Sequence, residues 1–250
     1  MKRTLIIFAL CFMNTAISAE SLTATDAVEL ARSGQTEKAH QLLEQLATED
    51  NLEGKLALCI LYFEGFGRQK NYDLAFKNCE QAALAQRYYA QYMMGVMYEN
   101  GMGVTKDYGK AAEWYEKATK QGDIYAELNL ANMYFQGKGI EKNFQKALPL
   151  VQHSAESGHA LAQNSLAVAY AKGEGVDKSW VNANHWWALA AEQGLPEALT
   201  AYSVSLCKGR GLTRDQAKGK QILEAVIKDG YKPAKEFLKD CEPKGWWWPF

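Results

Sequence analysis

The stretch AQYMMGVMYENGMGVTKDYGKAAEWYEKATKQG, residues 90–122, is the unit from which this chain is built. Similar residues return 36 positions along the chain in both directions. Tyr98 is followed by Tyr134 and Tyr170, and the glycine pair at 101 and 103 recurs at 65 and 67, 137 and 139, 173 and 175, and 209 and 211. Similarity at a fixed period of this length indicates a repeat array.

Each unit is predicted to contain two helices. Ala90, Met94 and Tyr98 share one face of a first helix, as apolar residues spaced by four do. Gly101 ends that helix, because glycine takes the left-handed conformation at a helix end without steric cost. Asp107 is a candidate N-cap for the second helix, which runs towards the glycine that closes the unit.

The pattern A-x-x-x-L-G-x-x-Y-x-x-G-x-G-V-x-x-D-x-x-K-A-x-x-W-Y-x-x-A-A-x-x-G resembles that of Sel1-like repeats, which are related to tetratricopeptide repeats. Residues 90–122 are a near-consensus copy, the units from Ala126 and Ala162 are strong copies, and those from Gly54 and Ala198 are degenerate. The resemblance implies an all-α fold, a right-handed α-solenoid of stacked helical hairpins. It also implies that the chain is a binding scaffold, although the repeat pattern is much less specific for function than for fold.

The sequence predicts four segments. Residues 1–19 read as a signal peptide, with Lys2 and Arg3 before a short apolar run and cleavage after Ser18 or Ala19. Residues 20–53 read as a capping pair of tetratricopeptide-like helices, 54–233 as five repeats, and 234–250 as a capping helix with a tryptophan-rich tail. The apolar run is too short for a stable membrane anchor, so we expect an exported protein of a bacterial periplasm.

Charge excludes one class of partner. The formal net charge is -1, and acidic and basic residues are interleaved along the repeats. A nucleic-acid-binding protein normally presents a basic face, so we expect no nucleic-acid partner.

Four cysteines follow the predicted signal peptide: Cys59, Cys79, Cys207 and Cys241. An even number in an exported chain favours disulfides. Cys59 and Cys79 lie on facing stripes of one predicted hairpin, which makes them the first pair and leaves Cys207 with Cys241. Buried free thiols are the alternative, because cysteine also packs as a small apolar residue.

No catalytic, cofactor or metal site is predicted. The Gly-x-Gly loops lack the strand and the Gly-Lys-Ser/Thr sequence of a phosphate-binding loop. The histidines, His40, His153, His159 and His185, lack the spacing of zinc ligands and are predicted to be solvated. Some cysteine-rich relatives are described as penicillin-binding or weakly β-lactam-hydrolysing, but no Ser-x-x-Lys, Ser-Asp-Asn or Lys-Thr-Gly motif is present, so that enzyme stays only an alternative.

The concave groove of such a solenoid is lined by its first helices. At about 100° per residue, positions 89, 92, 96 and 100 point away from the core, with 99 at the edge. The corresponding residues along the array form the predicted groove: Tyr89, Tyr92, Glu99, Asn100, Tyr125, Leu128, Asn132, Phe135, Gln136, Asn164, Val168, Lys172, Thr200 and Lys208. Tyrosines and amides with few charges are typical of a protein-binding surface.

The tail Trp246, Trp247, Trp248 and Phe250 has two interpretations. One or two of the rings fold back onto the last hairpin, or the rings form a contact surface for a partner, a glycan or the membrane interface.

The sequence therefore predicts a periplasmic, non-enzymatic scaffold for protein–protein interaction. One specific form is an immunity protein that binds a secreted toxin, because small exported Sel1-like proteins resemble the immunity partners of type VI phospholipase effectors. The other is an adaptor for envelope assembly or host interaction.

Overall fold

The computed structural model describes residues 23–48, 51–65 and 68–242, and within these ranges the chain is helical and contains no strand. The predicted signal peptide and the tail residues Trp246, Trp247, Trp248 and Phe250 lie outside the described residues. The helices follow in order as α1 (Ala24–Arg32), α2 (Thr36–Thr48), α3 (Leu52–Glu64), α4 (Tyr72–Leu84), α5 (Tyr88–Asn100), α6 (Tyr108–Thr119), α7 (Ile124–Gln136), α8 (Phe144–Glu156), α9 (Ala160–Lys172), α10 (Trp180–Glu192), α11 (Pro196–Lys208), α12 (Gln216–Lys228) and the 3-10 helix η1 (Lys232–Cys241).

The chain forms two compact units, one of residues 1–133 with 138–141 and one of residues 134–137 with 142–250. In the first unit, α1 to α5 each pack on the next helix of the chain. In the second unit, α8 to α12 do the same, and η1 packs on both α11 and α12. The predicted all-α fold of stacked helical hairpins is confirmed.

The Gly-x-Gly loop has a separate task for each glycine. Gly101 ends α5 in the left-handed conformation, with φ of 72°, and its N–H donates to the carbonyl of Met97. Gly103 lies so close to the carbonyl of Tyr72, at the start of α4, that a Cβ would clash with it. Gly139 approaches Tyr108 in the same way. The second glycine therefore lets each loop pack against the preceding repeat.

The predicted N-cap is confirmed. Asp107 Oδ1 accepts a hydrogen bond from the Lys110 N–H at 3.0 Å, and the Asp107 N–H donates to the Tyr98 carbonyl at 2.9 Å. Capping satisfies a backbone donor at the helix start. The other second helices have the same kind of cap, from Asn71, Asn143, Ser179 and Asp215.

Both predicted disulfides are present, which makes the free-thiol alternative wrong. Cys59 and Cys79 join α3 to α4 with their Cα atoms 5.1 Å apart. Cys207 and Cys241 join α11 to η1 with a Cα separation of 4.8 Å. Disulfides persist in oxidising surroundings, so this pair of bonds indicates a non-cytoplasmic compartment.

The N-terminal helical pair is tied to the first repeat. Arg68 forms ion pairs with Glu37 and Glu44 of α2, each at 2.7 Å, and the Tyr62 hydroxyl donates to Glu44 at 2.9 Å. His40 of α2 was predicted to be solvated, but its side chain is only 1% exposed and its ring centroid lies 5.7 Å from that of Tyr62. That prediction was wrong, because α2 packs on α3 and buries this position.

Candidate partner-binding surfaces

Three tyrosines form one surface in the first unit, which we call the tyrosine surface: Tyr89, Tyr92 and Tyr125. The ring centroid of Tyr92 lies 5.8 Å from that of Tyr89 and 6.0 Å from that of Tyr125. Tyr89 and Tyr92 are half-buried on α5, whereas Tyr125, at the start of α7, is 43% exposed. The first helices of two successive repeats thus contribute to a single aromatic surface.

Burial keeps the phenols of Tyr89 and Tyr92 neutral. It raises the pKa of Tyr92 to about 12, with the charge of Asp123 as the next cause. Burial also raises the pKa of Tyr89, with Tyr92 as the next cause. A neutral phenol can donate one hydrogen bond and offers a large apolar ring, a combination that is enriched at the centre of protein interfaces.

A chain of polar contacts begins beneath the tyrosine surface. The ring of Tyr115 lies 6.1 Å from that of Tyr92, and its hydroxyl donates to Glu99 Oε2 at 2.8 Å. The other oxygen of Glu99 pairs with Lys138 Nζ at 2.9 Å. Burial and then the charge of Glu99 raise the pKa of Tyr115, and the hydrogen bond to Glu99 raises that of Lys138. These contacts hold Glu99 and Lys138 in fixed positions, and the charges of these two side chains neutralise each other.

The remaining predicted groove residues of the first unit differ in exposure. Asn100 is exposed and donates to the carbonyl of Val96 at 2.8 Å, and Asn132 is half-buried. Leu128 was predicted to face solvent, but its side chain is only 9% exposed. This prediction was wrong, because a projection of one isolated helix takes no account of the burial that stacking of the repeats brings.

In the second unit, several predicted groove residues are already engaged. Phe135 is half-buried with its ring 6.0 Å from that of Phe144, and Asn164 Oδ1 accepts from the Trp187 indole N–H at 3.1 Å. Lys208 pairs with Asp240 of η1 at 2.9 Å.

The others range from exposed to buried. Gln136 and Lys172 are exposed, and Val168 is half-buried. Thr200 was predicted to line the groove surface, but it is buried and its hydroxyl donates to the Pro196 carbonyl at 2.7 Å. Its short side chain turns back to its own helix instead of reaching solvent, as threonine in helices often does.

An aromatic pocket in the second unit was missed by the sequence analysis. An open cavity of about 310 Å³ is lined by four rings, Trp180 and Trp187 of α10, Tyr231, which precedes η1, and Phe237 within η1. Trp187 is only 5% exposed, so it belongs to the core as well as to the wall of the pocket. One signal in the sequence does point to Phe237: it lies one position off the apolar stripe of Ala234, Leu238 and Cys241 that packs on the last hairpin.

Two further kinds of site, a metal site and a membrane-spanning helix, are not found among the described residues. Within residues 23–48, 51–65 and 68–242, no three His, Cys, Asp or Glu side chains are grouped so as to hold a metal ion. None of the helices in that part of the chain combines the length and the apolar character needed to cross a membrane.

Comparison with known families gives one match, to the Sel1 repeat. The family model matches residues 53–86, 89–123, 124–159, 160–195 and 196–225, which together make up more than half of the chain. No curated protein matches the chain.

Three solved structures indicate the range of similarity. A protective antigen with an SLR fold from uropathogenic Escherichia coli is 30% identical, with a TM-score of 0.73, over 80% of this chain and 43% of that one, so this chain spans less than half of its length. A Sel1 repeat protein from Oxalobacter formigenes is 28% identical, with a TM-score of 0.76, over 86% and 88%. An immunity protein from Pseudomonas aeruginosa is 16% identical, with a TM-score of 0.50, over 94% and 88%, a likeness of fold alone.

Proposed function

This chain belongs to the Sel1 repeat family, whose members are generally non-catalytic interaction scaffolds, and we propose that it is an exported scaffold that binds a partner protein at its tyrosine surface. The observation that carries the proposal is the position of Tyr92, between Tyr89 and Tyr125 on two successive first helices. Interfaces depend on a few such aromatic anchors, and the area around them mainly excludes water.

The chemistry of the surface indicates the kind of partner. The phenols of Tyr89 and Tyr92 are kept neutral by burial, and the nearby carboxylate of Glu99 is already paired with Lys138. Asp123, the other nearby carboxylate, is buried and accepts a hydrogen bond from the Ala126 N–H at 2.8 Å, so the surface does not favour a strongly charged ligand. An apolar protein surface that offers hydrogen-bond acceptors to the tyrosine hydroxyls fits it better. Asn100 of α5 and Asn132 of α7 add amide groups on the same two helices that carry the tyrosines.

We further propose that the chain acts in the periplasm as an immunity protein, with a secreted toxin as its partner. Two observations support this proposal. The two disulfides suit an oxidising compartment, as does the segment of residues 1–19 that reads as a signal peptide. The fold is also that of an immunity protein from Pseudomonas aeruginosa. An envelope-assembly or host-interaction adaptor would use the same surface with a different partner.

The test uses the chain from Glu20 onward as bait for envelope and secretome extracts. A second bait carries Tyr92→Ala with Tyr125→Ala, and a control bait carries Glu116→Ala with Lys120→Ala, an exposed pair on α6. We expect the wild-type and control baits to retain the same partner. The tyrosine variant should bind the purified partner at least about tenfold more weakly, because loss of an interface anchor costs roughly 2 kcal/mol or more.

Four outcomes test the binding surface and distinguish the immunity, adaptor and β-lactam-hydrolysing functions. If the wild-type and tyrosine-variant baits retain the same proteins, the tyrosine surface is not the binding site. If the partner is a toxin that loses activity on addition of one equivalent of this chain, the immunity role holds, whereas a partner that stays active in the complex favours the adaptor role. Nitrocefin turnover by the purified chain would instead support the β-lactam-hydrolysing alternative.

A further inference from the structure

We propose that the tail of this chain, residues 246–250 with its three consecutive tryptophans, docks into the aromatic pocket of the second unit. This inference is independent of the tyrosine surface, because the pocket is lined by residues of the second unit and the tyrosine surface belongs to the first. It assigns the pocket an occupant from the same chain.

The pocket offers the contacts that an indole ring requires. Phe237 is 36% exposed at the mouth, and the Trp180 ring carries the Arg210 guanidinium 4.8 Å from its centroid. The indole N–H of Trp187 is already used by Asn164, so this ring contributes an apolar wall. Aromatic rings associate edge-to-face or offset, and a cation nearby favours a further aromatic ring.

The covalent structure delivers the tail to this pocket. Cys241, at the end of η1, is bonded to Cys207 with the Cα atoms 4.8 Å apart. Ser205, which lines the pocket, lies only two residues before Cys207 on α11. The Lys208–Asp240 ion pair and a hydrogen bond from Gln216 to the Glu242 carbonyl, at 3.3 Å, fix the same point.

The linker between Cys241 and the first tail tryptophan is short. Trp246 follows Cys241 by five residues, which reach at most about 17 Å when fully extended. A tether of this length holds the rings near the pocket at an effective concentration of roughly millimolar. A cavity of about 310 Å³ accepts one or two indoles, so the three tryptophans compete for it and at least one remains outside.

Fluorine NMR of the full chain labelled with 5-fluorotryptophan provides the test. The chain has seven tryptophans, and a Trp→Phe substitution at each position assigns its resonance. We expect at least one tail resonance to lie away from the position of a free indole. It should return to that position in Phe237→Ala and, independently, in Val204→Asp, which alters the α11 wall of the pocket. Leu161→Ala, at an exposed site of α9 outside the pocket, should leave it unchanged.

Only variants whose circular dichroism shows the wild-type helix content are used. The two pocket variants lie on different helices, so if one of them fails to fold the other still provides the test. Three tail resonances at the free-indole position that respond to neither variant would overturn the proposal. A shift that grows with protein concentration would also overturn it, because the occupant would then be the tail of a second copy. A shift that is independent of concentration and lost in the pocket variants supports docking within one chain.

Discussion

Gly95 of α5 lies directly against the ring of Tyr115 of α6, so that a methyl group on Gly95 would come within 2.5 Å of Tyr115 Cδ1. Tyr115 is completely buried at this contact. In the preceding repeat, the same two positions are Cys59 and Cys79, which form a disulfide. The two helices of a hairpin thus approach closely at this point, through an absent side chain in one repeat and a covalent bond in the other.

Substitution of Gly95 by alanine should destabilise the protein. Alanine improves helix propensity by about 1 kcal/mol, but overpacking against a buried ring typically costs about 1–3 kcal/mol. We expect a lower free energy of unfolding in urea. Gly109→Ala is the matched control, because the nearest atom to its Cβ would be an Asp107 oxygen at 3.4 Å, and it should cause no loss. Equal stability of the Gly95 variant and wild type would mean that Tyr115 can move aside.

The periodic part of the fold was predictable because its packing repeats. Met94, Gly101 and Asp107 recur as types every 36 residues, and each copy meets the same neighbour in its own repeat. A residue type that returns at one column carries its structural role with it. The Cys59–Cys79 disulfide followed from the same columns, and Cys207–Cys241 followed as the pair that remained of an even number of cysteines.

The candidate sites were less predictable, because they depend on contacts that one helix does not encode. Leu128 was misassigned since a projection of one helix takes no account of what packs around that helix, and the side chain is only 9% exposed. The aromatic pocket was missed because Tyr231 and Phe237 have no aromatic counterpart 36 residues earlier, where the chain has Leu195 and Ala201. Tyr89 and Tyr92, in contrast, are half-buried and keep part of each side chain exposed, and their role in binding stays a prediction.

Replacement of Gln86 by glycine should stabilise the folded protein. Gln86 is the only non-glycine residue with positive φ, 61°, in the described part of the chain, and the equivalent position one repeat later is Gly122. The left-handed conformation costs a residue with a Cβ roughly 1–2 kcal/mol. The flexibility of glycine in the unfolded chain offsets part of that gain.

Thermal unfolding of Gln86→Gly should therefore show a higher Tm than that of wild type. Ala85→Gly is the control, because Ala85 has φ of -81° and has no strain to relieve. A lower Tm for both variants would show that chain flexibility outweighs the strain at Gln86.

Loss of either disulfide should lower stability by about 3–4 kcal/mol in the chain-entropy model, given sequence separations of 20 and 34. Urea unfolding of Cys59→Ala/Cys79→Ala and of Cys207→Ala/Cys241→Ala, each with and without reductant, measures the two contributions. Reductant should destabilise wild type most, and each variant only through its remaining bond. An unchanged midpoint for wild type whose reduction has been verified by alkylation would contradict this expectation. Only loss of Cys207–Cys241 should accelerate hydrogen exchange across η1.

The tyrosines of the first unit should make stability fall at alkaline pH. Burial raises the pKa of Tyr92 from 10.0 to about 12, and burial is also the first cause that raises the pKa values of Tyr89 and Tyr115. A phenol whose pKa is higher in the folded than in the unfolded protein keeps its proton better when folded. Its contribution to stability is therefore complete below pH 10 and is lost as the pH rises through the native pKa.

Two measurements check this dependence. The absorbance of ionised tyrosine should stay incomplete above pH 10 and rise to its full value only when circular dichroism shows unfolding. Tyr92→Phe removes one such proton, so the free energy of unfolding should fall less steeply with pH above 10. Tyr88→Phe, at an exposed position of the same helix, should leave that slope unchanged. Complete and reversible ionisation of all the tyrosines near pH 10, with the helices intact, would show that Tyr89, Tyr92 and Tyr115 are open to solvent.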